Sequence, residues 1–151
     1  NMATGEINPM PYEYPDLKKV RFIYAASAEH QLYVQCYTQY DLMTICDFNG
    51  NLKCNIYGPK WVNEKTQTQH YSLGVEFCGD KILALYSGGD HRTDAYYPTK
   101  FLVFDLNGNY LKTLETGYMI TDFCYDKENN RLIINLNDEI QFAYLDLEGI
   151  I

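Results

Sequence analysis

The segment 87–97, which reads SGGDHRTDAYY, holds the densest group of side chains able to bind a ligand. Asp90, His91 and Asp94 carry the carboxylate and imidazole donors that several divalent cations accept. A Ca²⁺ or another divalent cation is therefore one interpretation of the segment. Their spacing matches no established metal loop, including the EF-hand loop. The alternative is a solvated polar loop in which the glycines provide flexibility.

The same segment offers contacts for an organic ligand. Arg92 can hold an anionic group through its planar guanidinium, or it can pair with a neighbouring Asp. Tyr96 and Tyr97 can stack on a sugar or a peptide, or they can begin a strand and pack. Both interpretations of the tyrosine pair remain open at this stage.

The segment 58–71 is a second candidate binding region. Trp61 is the only tryptophan of the chain, and it can serve as a binding platform or pack over a neighbouring unit. His70 has no carboxylate close to it in the sequence, so a structural role is favoured over a binding role. Tyr71 follows it directly and completes this set of candidates.

Signatures of known enzymes do not occur. The sequence contains no Gly-x-Ser-x-Gly, no His-Glu-x-x-His and no Gly-x-x-x-x-Gly-Lys. The five cysteines are odd in number and form no Cys-x-x-Cys pair, which argues against a disulfide framework and a zinc knuckle. They lie in predicted strands, where thiols are buried and inert. No catalytic residue and no cofactor are predicted.

Charge and hydropathy exclude two classes of partner. The 151 residues include 12 basic and 20 acidic side chains, a net charge of −8. Nucleic acids require clustered Lys and Arg, so nucleic acid is not expected as a partner, and an anionic membrane surface is disfavoured. No apolar run approaches the ~20 residues that span a bilayer. Residues 1–15 lack the basic and apolar regions of a signal peptide; a signal removed earlier would leave the same sequence.

Internal repetition in the sequence indicates which strands and turns hold these candidate residues. Three similar phrases each follow an apolar run: DFNGN at 47–51, DLNGN at 105–109 and DLEG at 146–149. Asn-Gly between two strand-like runs is a strong hairpin signal, because Asn and Gly tolerate positive φ. A second hairpin phrase precedes each of them, so every unit has four strands, a to d, with short a–b and c–d turns.

The predicted fold is all-β, with antiparallel four-stranded meander units. The boundaries are an N-terminal arm or the end of a preceding unit at 1–17, units at 18–57, 72–116 and 117–151, and an inter-unit loop at 58–71. The last unit has an incomplete outer strand. Apolar residues on both faces of strands b and c indicate sheets covered on both sides. A four-stranded period of ~40–50 residues is typical of a β-propeller blade. A β-sandwich is the alternative fold.

The three Asp-x-x-Gly hairpins and the paired a–b phrases, over about residues 18–151, resemble six-bladed propellers of the TolB-like and NHL-repeat kind, especially exported propellers of gut bacteria. The resemblance implies three blades of a six-bladed ring and a periplasmic or cell-surface location. Closure would then come from self-association or from the missing N-terminal half of a longer chain. It also implies a binding module for a glycan, peptide or protein. The alternatives are a metal-assisted, lactonase-like hydrolase and a purely structural scaffold.

Topology predicts which end of such sheets binds. In an antiparallel meander the a–b and c–d turns share one end, and the b–c and d–a connections share the other. Segments 87–98 and 58–70 are therefore expected at one end, where long loops concentrate binding residues.

Strand a lines the channel of a propeller, and alignment of the units places Phe22, Glu76 and Asp122 at equivalent positions. Two acids there can bind a cation or share a proton, or meet solvent and backbone donors.

Overall fold

The computed structural model describes Gly5 and residues 20–151. The predicted N-terminal arm at 1–17 lies, apart from Gly5, outside the described residues. Eleven strands occur in the described part of the chain, together with one 3₁₀ turn at Asp94–Tyr96. No helix within residues 20–151 has the length and apolar character required to cross a membrane.

The strands form three antiparallel sheets in chain order. Sheet 1 contains β1 (Phe22–Ser27), β2 (Leu32–Tyr37), β3 (Leu42–Asp47) and β4 (Leu52–Tyr57). Sheet 2 contains β5 (Thr68–Cys78), β6 (Lys81–Asp90), β7 (Lys100–Asp105) and β8 (Tyr110–Glu115). Sheet 3 contains β9 (Ile120–Asp126), β10 (Arg131–Leu136) and β11 (Phe142–Asp146). The predicted all-β class and the antiparallel meander within each sheet are thus confirmed.

The repeated phrases form equivalent turns in sheets 1 and 2. The Asp47 carboxylate accepts hydrogen bonds from the backbone amides of Asn49 and Asn51 and from the Asn51 side chain. Asp105 accepts the same three bonds from Asn107 and Asn109. Gly50 and Gly108 have φ of 81° and 85°, a backbone conformation that glycine adopts without steric cost.

Sheet 2 is covered on both faces. Residues 82–85 in β6 alternate between the two faces and are all fully buried. Ile82 and Ala84 pack against sheet 1, and Leu83 and Leu85 pack against sheet 3. This explains why the apolar pattern of this strand does not alternate with polar residues.

The β5–β6 hairpin is longer than the sequence predicts. β5 begins at Thr68, inside the expected loop 58–71, and β6 continues to Asp90, where Thr68 and Asp90 pair. The register shifts between Gln69 and Val75, and Leu73 has a φ of 67°. These irregularities hide the strand from a search for regular alternation, because a bulge interrupts the period of two.

Candidate functional site

The two long connections, β4–β5 and β6–β7, lie at the same end of the sheets and contact each other. His91 donates its backbone N–H to the Gln67 carbonyl at 3.1 Å, and its imidazole Nδ1 lies 3.0 Å from the same oxygen. A carbonyl only accepts, so Nδ1 carries the proton in this contact. The Lys60 ammonium donates to the Gly88 carbonyl at 3.3 Å. We call this end of the three sheets the loop end.

Arg92 pairs with Asp90, as one of its two predicted roles requires. Its Nε and Nη2 lie 3.0 and 2.6 Å from the two carboxylate oxygens of Asp90. This contact holds the pKa of the Asp90 carboxyl well below its usual range. Asp94 is exposed in the 3₁₀ turn. Among residues 20–151, no three His, Cys, Asp or Glu side chains are grouped so as to hold a metal ion. Asp90, His91 and Asp94 therefore do not form such a group.

Tyr96 and Tyr97 stack on each other, with ring centroids 4.3 Å apart, and both are half-buried. They lie in and directly after the 3₁₀ turn, whereas β7 begins at Lys100. The interpretation in which they begin a strand is wrong. Thr93 caps the turn, because its hydroxyl accepts from the Ala95 amide. The cap fixes the loop that presents the tyrosine pair.

Trp61 packs against aromatic side chains of its own sheet. Its ring centroid lies 5.0 Å from that of Tyr57 in an edge-on arrangement and 6.0 Å from that of Tyr40. The indole is half-buried. Trp61 therefore reinforces the sheet 1 side of the loop end and keeps part of its surface accessible.

A buried polar cluster lies beneath the loops. His70 is 2% exposed, and its Nδ1 lies 3.2 Å from the Tyr86 hydroxyl and 3.9 Å from an Asp41 carboxylate oxygen. The Tyr86 phenol hydrogen-bonds the Asp41 carboxylate, and the Lys60 backbone amide donates to it at 2.9 Å. Tyr71 is 1% exposed and packs edge-on against Tyr86, with centroids 5.1 Å apart.

Burial determines the protonation states in this cluster. It lowers the pKa of His70, and the neighbouring Asp41 only partly opposes this effect. It raises the pKa of Tyr86, to which Asp41 adds, and the pKa of Tyr71 is raised well above its usual range for the same main reason. The cluster near neutral pH thus contains a neutral imidazole and protonated phenols.

The carboxylate partner of His70 is distant from it in the sequence. Asp41 lies 29 positions earlier, in the β2–β3 connection, and reaches His70 through the packing of sheet 1 on sheet 2. The sequence signal available was Asp41 itself, the one charged side chain among residues 31–46. Tyr86 was missed because it ends an apolar run and looks like a core residue.

Phe22, Glu76 and Asp122 line one open depression of about 310 Å³ on strands β1, β5 and β9. Glu76 accepts a hydrogen bond from the backbone amide of Tyr125 at 3.1 Å. Burial raises the pKa of Glu76, and the nearby Asp122 adds to this. Asp122 is exposed and accepts from the Phe123 amide at 2.8 Å. Both carboxylates thus accept from backbone amides, as in the interpretation in which the two acids meet solvent and backbone donors.

The cysteines differ in their environments. Cys36, Cys46 and Cys78 are buried, Cys54 is half-buried and Cys124 is exposed, so the expectation of buried thiols is wrong for Cys124 and is met only in part by Cys54. Burial raises the pKa values of Cys36 and Cys78. A raised pKa keeps these two thiols protonated and unreactive.

The comparisons with known proteins are negative. No family model matches the chain, and the search of curated proteins found no match. The resemblance to TolB-like and NHL-repeat propellers therefore rests on the repeated hairpin phrases alone.

Proposed function

We propose that the chain is a β-propeller module whose three sheets are consecutive blades, and that it binds a glycan, peptide or protein through the loop end. The ring closes by self-association or with an N-terminal half of a longer chain. We also propose a periplasmic or cell-surface location, because the sequence resembles exported propellers.

The contacts between equivalent elements support the propeller. The first strands of the sheets are neighbours, since β5 contacts both β1 and β9. The a–b turns also meet at the end opposite the loops, where the His30 imidazole reaches the Gly79 carbonyl at 2.7 Å and Lys127 pairs with Glu29 at 3.1 Å. We call that end the turn end. Like elements meet in this way when sheets repeat around an axis, whereas a β-sandwich has two layers.

The single observation that carries the binding function is the contact between the two long connections at the loop end. The bond from His91 to Gln67 joins the two connections, and the bond from Lys60 to Gly88 ties the β4–β5 connection to the end of β6, so that they form one ordered surface. Tyr96 and Tyr97 present a stacked aromatic pair on it. An ordered loop surface on a rigid scaffold suits recognition, because little side-chain freedom is lost on binding.

The hydrolase alternative requires carboxylates or imidazoles that converge on a metal, and residues 20–151 offer no group of three. Binding therefore fits the described residues better than metal-assisted catalysis. The fold alone does not distinguish a binding module from a structural scaffold. A binding experiment is needed to distinguish them.

The test is an array of soluble glycans and peptides probed with the full chain and two variants. The double variant Tyr96→Ala/Tyr97→Ala removes the aromatic pair at the loop end. Glu128→Ala, at an exposed position of the turn end, is the control. We expect the first variant to weaken binding at least tenfold and the control to keep it. No binding by the wild-type chain, or equal loss in both variants, would leave the scaffold as the function.

A further inference from the structure

A cleft of about 470 Å³ lies between β4 of sheet 1 and β7–β8 of sheet 2. Most of the residues that line it lie at the loop end, including Asp41, Tyr57, Tyr86 and Lys100. Its volume falls in the range of ~300–1,000 Å³ that is usual for small-molecule sites. The cleft therefore offers the loop end a pocket that the loops alone do not provide.

Aromatic rings form the walls of the cleft, and two of them are accessible. Tyr57 is 50% exposed and Tyr110 is 56% exposed, while Tyr86 and Phe104 pack more deeply in the same wall. The Tyr110 hydroxyl lies 2.7 Å from the Thr113 hydroxyl. Rings with hydroxyl groups at their margins provide both stacking surface and hydrogen bonds.

Two charged groups face the same space. Asp41 lines the cleft, but its side chain is 1% exposed. Its carboxylate accepts from the Lys60 amide and from Tyr86 and acts on the cleft through its charge. The Lys100 ammonium lies 5.6 Å from the centre of the Tyr86 ring. It is in ion-pair distance of no carboxylate of residues 20–151.

These charges select the class of ligand. An anion would meet the buried carboxylate of Asp41 in a medium of low dielectric. A cation would compete with Lys100, which already occupies the face of Tyr86. A purely apolar molecule would deprive the Lys100 ammonium of water without replacing its hydrogen bonds. A neutral ring with several hydroxyls avoids all three costs.

We infer that the cleft between β4 and β7–β8 binds a neutral monosaccharide or disaccharide. The apolar face of a pyranose stacks on Tyr110 and Tyr57, and one of its hydroxyls accepts from Lys100. This inference rests on the proposed function, because it names the ligand class and the pocket of the same loop end.

Calorimetric titration of the full chain with neutral monosaccharides and disaccharides of gluco, galacto and manno configuration tests the inference. Sodium benzoate and tetramethylammonium chloride probe for an anion site and a cation site. We expect at least one sugar to bind with a Kd below about 1 mM and neither salt to bind. Tyr110→Ala and Lys100→Gln should each weaken sugar binding at least tenfold. Glu128→Ala, at an exposed position of the turn end, should leave it unchanged.

Three outcomes overturn the cleft site. They are binding of either salt in place of sugars, no sugar binding, and sugar binding that survives both cleft substitutions. Two variants are used so that one misfolded protein does not decide the result. Sugar binding lost only in Tyr96→Ala/Tyr97→Ala would overturn the cleft and keep the proposed function. Failure of both the titration and the array would overturn both.

Discussion

The imidazole Nδ1 of His70 lies 3.9 Å from a carboxylate oxygen of Asp41, and both side chains are almost completely buried. The Tyr86 hydroxyl, 3.2 Å from the same nitrogen, joins the two groups because it also hydrogen-bonds Asp41. The phenol uses its one proton for the carboxylate, so it accepts from a protonated Nδ1. This chain of hydrogen bonds connects sheet 1 to sheet 2 beneath the loops.

We expect the protein to lose stability on mild acidification because of His70. Its folded pKa is lowered by burial, while an unfolded histidine titrates near ~6.5. The unfolded chain therefore binds the proton first, so stability is fully present above about pH 6.5 and falls as the pH decreases below that value. Chemical denaturation measured at half-unit steps between pH 5 and pH 8 gives the free energy of unfolding at each pH.

The matched variant is His70→Asn, whose amide can donate to Tyr86 but does not titrate. It should cost roughly 1–3 kcal/mol at pH 8 and should show a flatter pH profile than the wild type. The difference between the two profiles removes contributions common to both proteins, including that of Glu76, whose pKa is raised. Parallel profiles would show that His70 is not the group responsible.

Gly58→Ala should disrupt the same cluster through a steric clash. A Cβ at this position would lie 2.1 Å from the Asp41 carboxylate, and Gly58 also donates its N–H to the Asp41 backbone carbonyl at 2.8 Å. We expect a loss of about 2–3 kcal/mol in the free energy of unfolding. The native fluorescence of Trp61 should change as well, because its amide donates to the Gly58 carbonyl.

Gly79→Ala is the control for that substitution. Gly79 has a φ of 63° and open space around its Cβ direction, so it measures the cost of positive φ alone, about 1–2 kcal/mol. It should leave Trp61 fluorescence unchanged, since Gly79 lies at the turn end. Unchanged Trp61 fluorescence in Gly58→Ala would contradict the packing of Gly58 on Asp41.

The two Asn-Gly turns should respond equally to loss of their aspartates. Asp47 and Asp105 each accept two backbone bonds and one side-chain bond, so Asp47→Ala and Asp105→Ala should lower the thermal midpoint by similar amounts. Asp146→Ala should lower it less, because the third phrase has Ile150 in place of the asparagine whose side chain donates to the aspartate in the other two. Thermal denaturation followed by circular dichroism compares the three variants. Equal effects in all three would show that these bonds do not stabilise the turns.

The sequence was sufficient to predict the strands wherever repetition marked them. The Asp-x-Asn-Gly-Asn phrases locate the turns at Asp47 and Asp105, because only a few residue types permit the required backbone. The start of β5 at Thr68 was not predictable from alternation, since Leu73 and the register shifts break the period. Local turn chemistry is thus readable from the sequence, whereas bulges are fixed by packing between sheets.

The candidate site was predicted only in part. The long connections were located, and the pairing of Arg92 with Asp90 follows from their proximity in the sequence. The cluster of Asp41, His70 and Tyr86 depends on contacts between residues 16 to 45 positions apart. A single sequence does not show which residues far apart in the chain come together in the fold. Asp41 and Tyr86 were therefore not predicted as neighbours of His70.

Sheet 3 presents an apolar outer face, from which we predict self-association. Phe142 and Tyr144 are 70% and 62% exposed, and they point away from Leu145, which packs toward sheet 2. Within residues 20–151, β11 is an edge strand that pairs with β10 alone, and exposed apolar edges invite pairing with another chain. Light scattering on a sizing column should therefore give a mass near twice the 17.6 kDa of the chain.

Substitution of that face tests the cause of the association. Phe142→Lys/Tyr144→Lys places two charges on the surface and should convert the dimer to a monomer, because burial of unpaired charges is costly. Tyr118→Lys, at an exposed aromatic outside the strands, should leave the mass unchanged. A wild-type chain that is monomeric at all concentrations would contradict closure by self-association. Closure of the ring would then require the N-terminal half of a longer chain, and a self-contained β-sandwich would become the preferred fold if no such half binds.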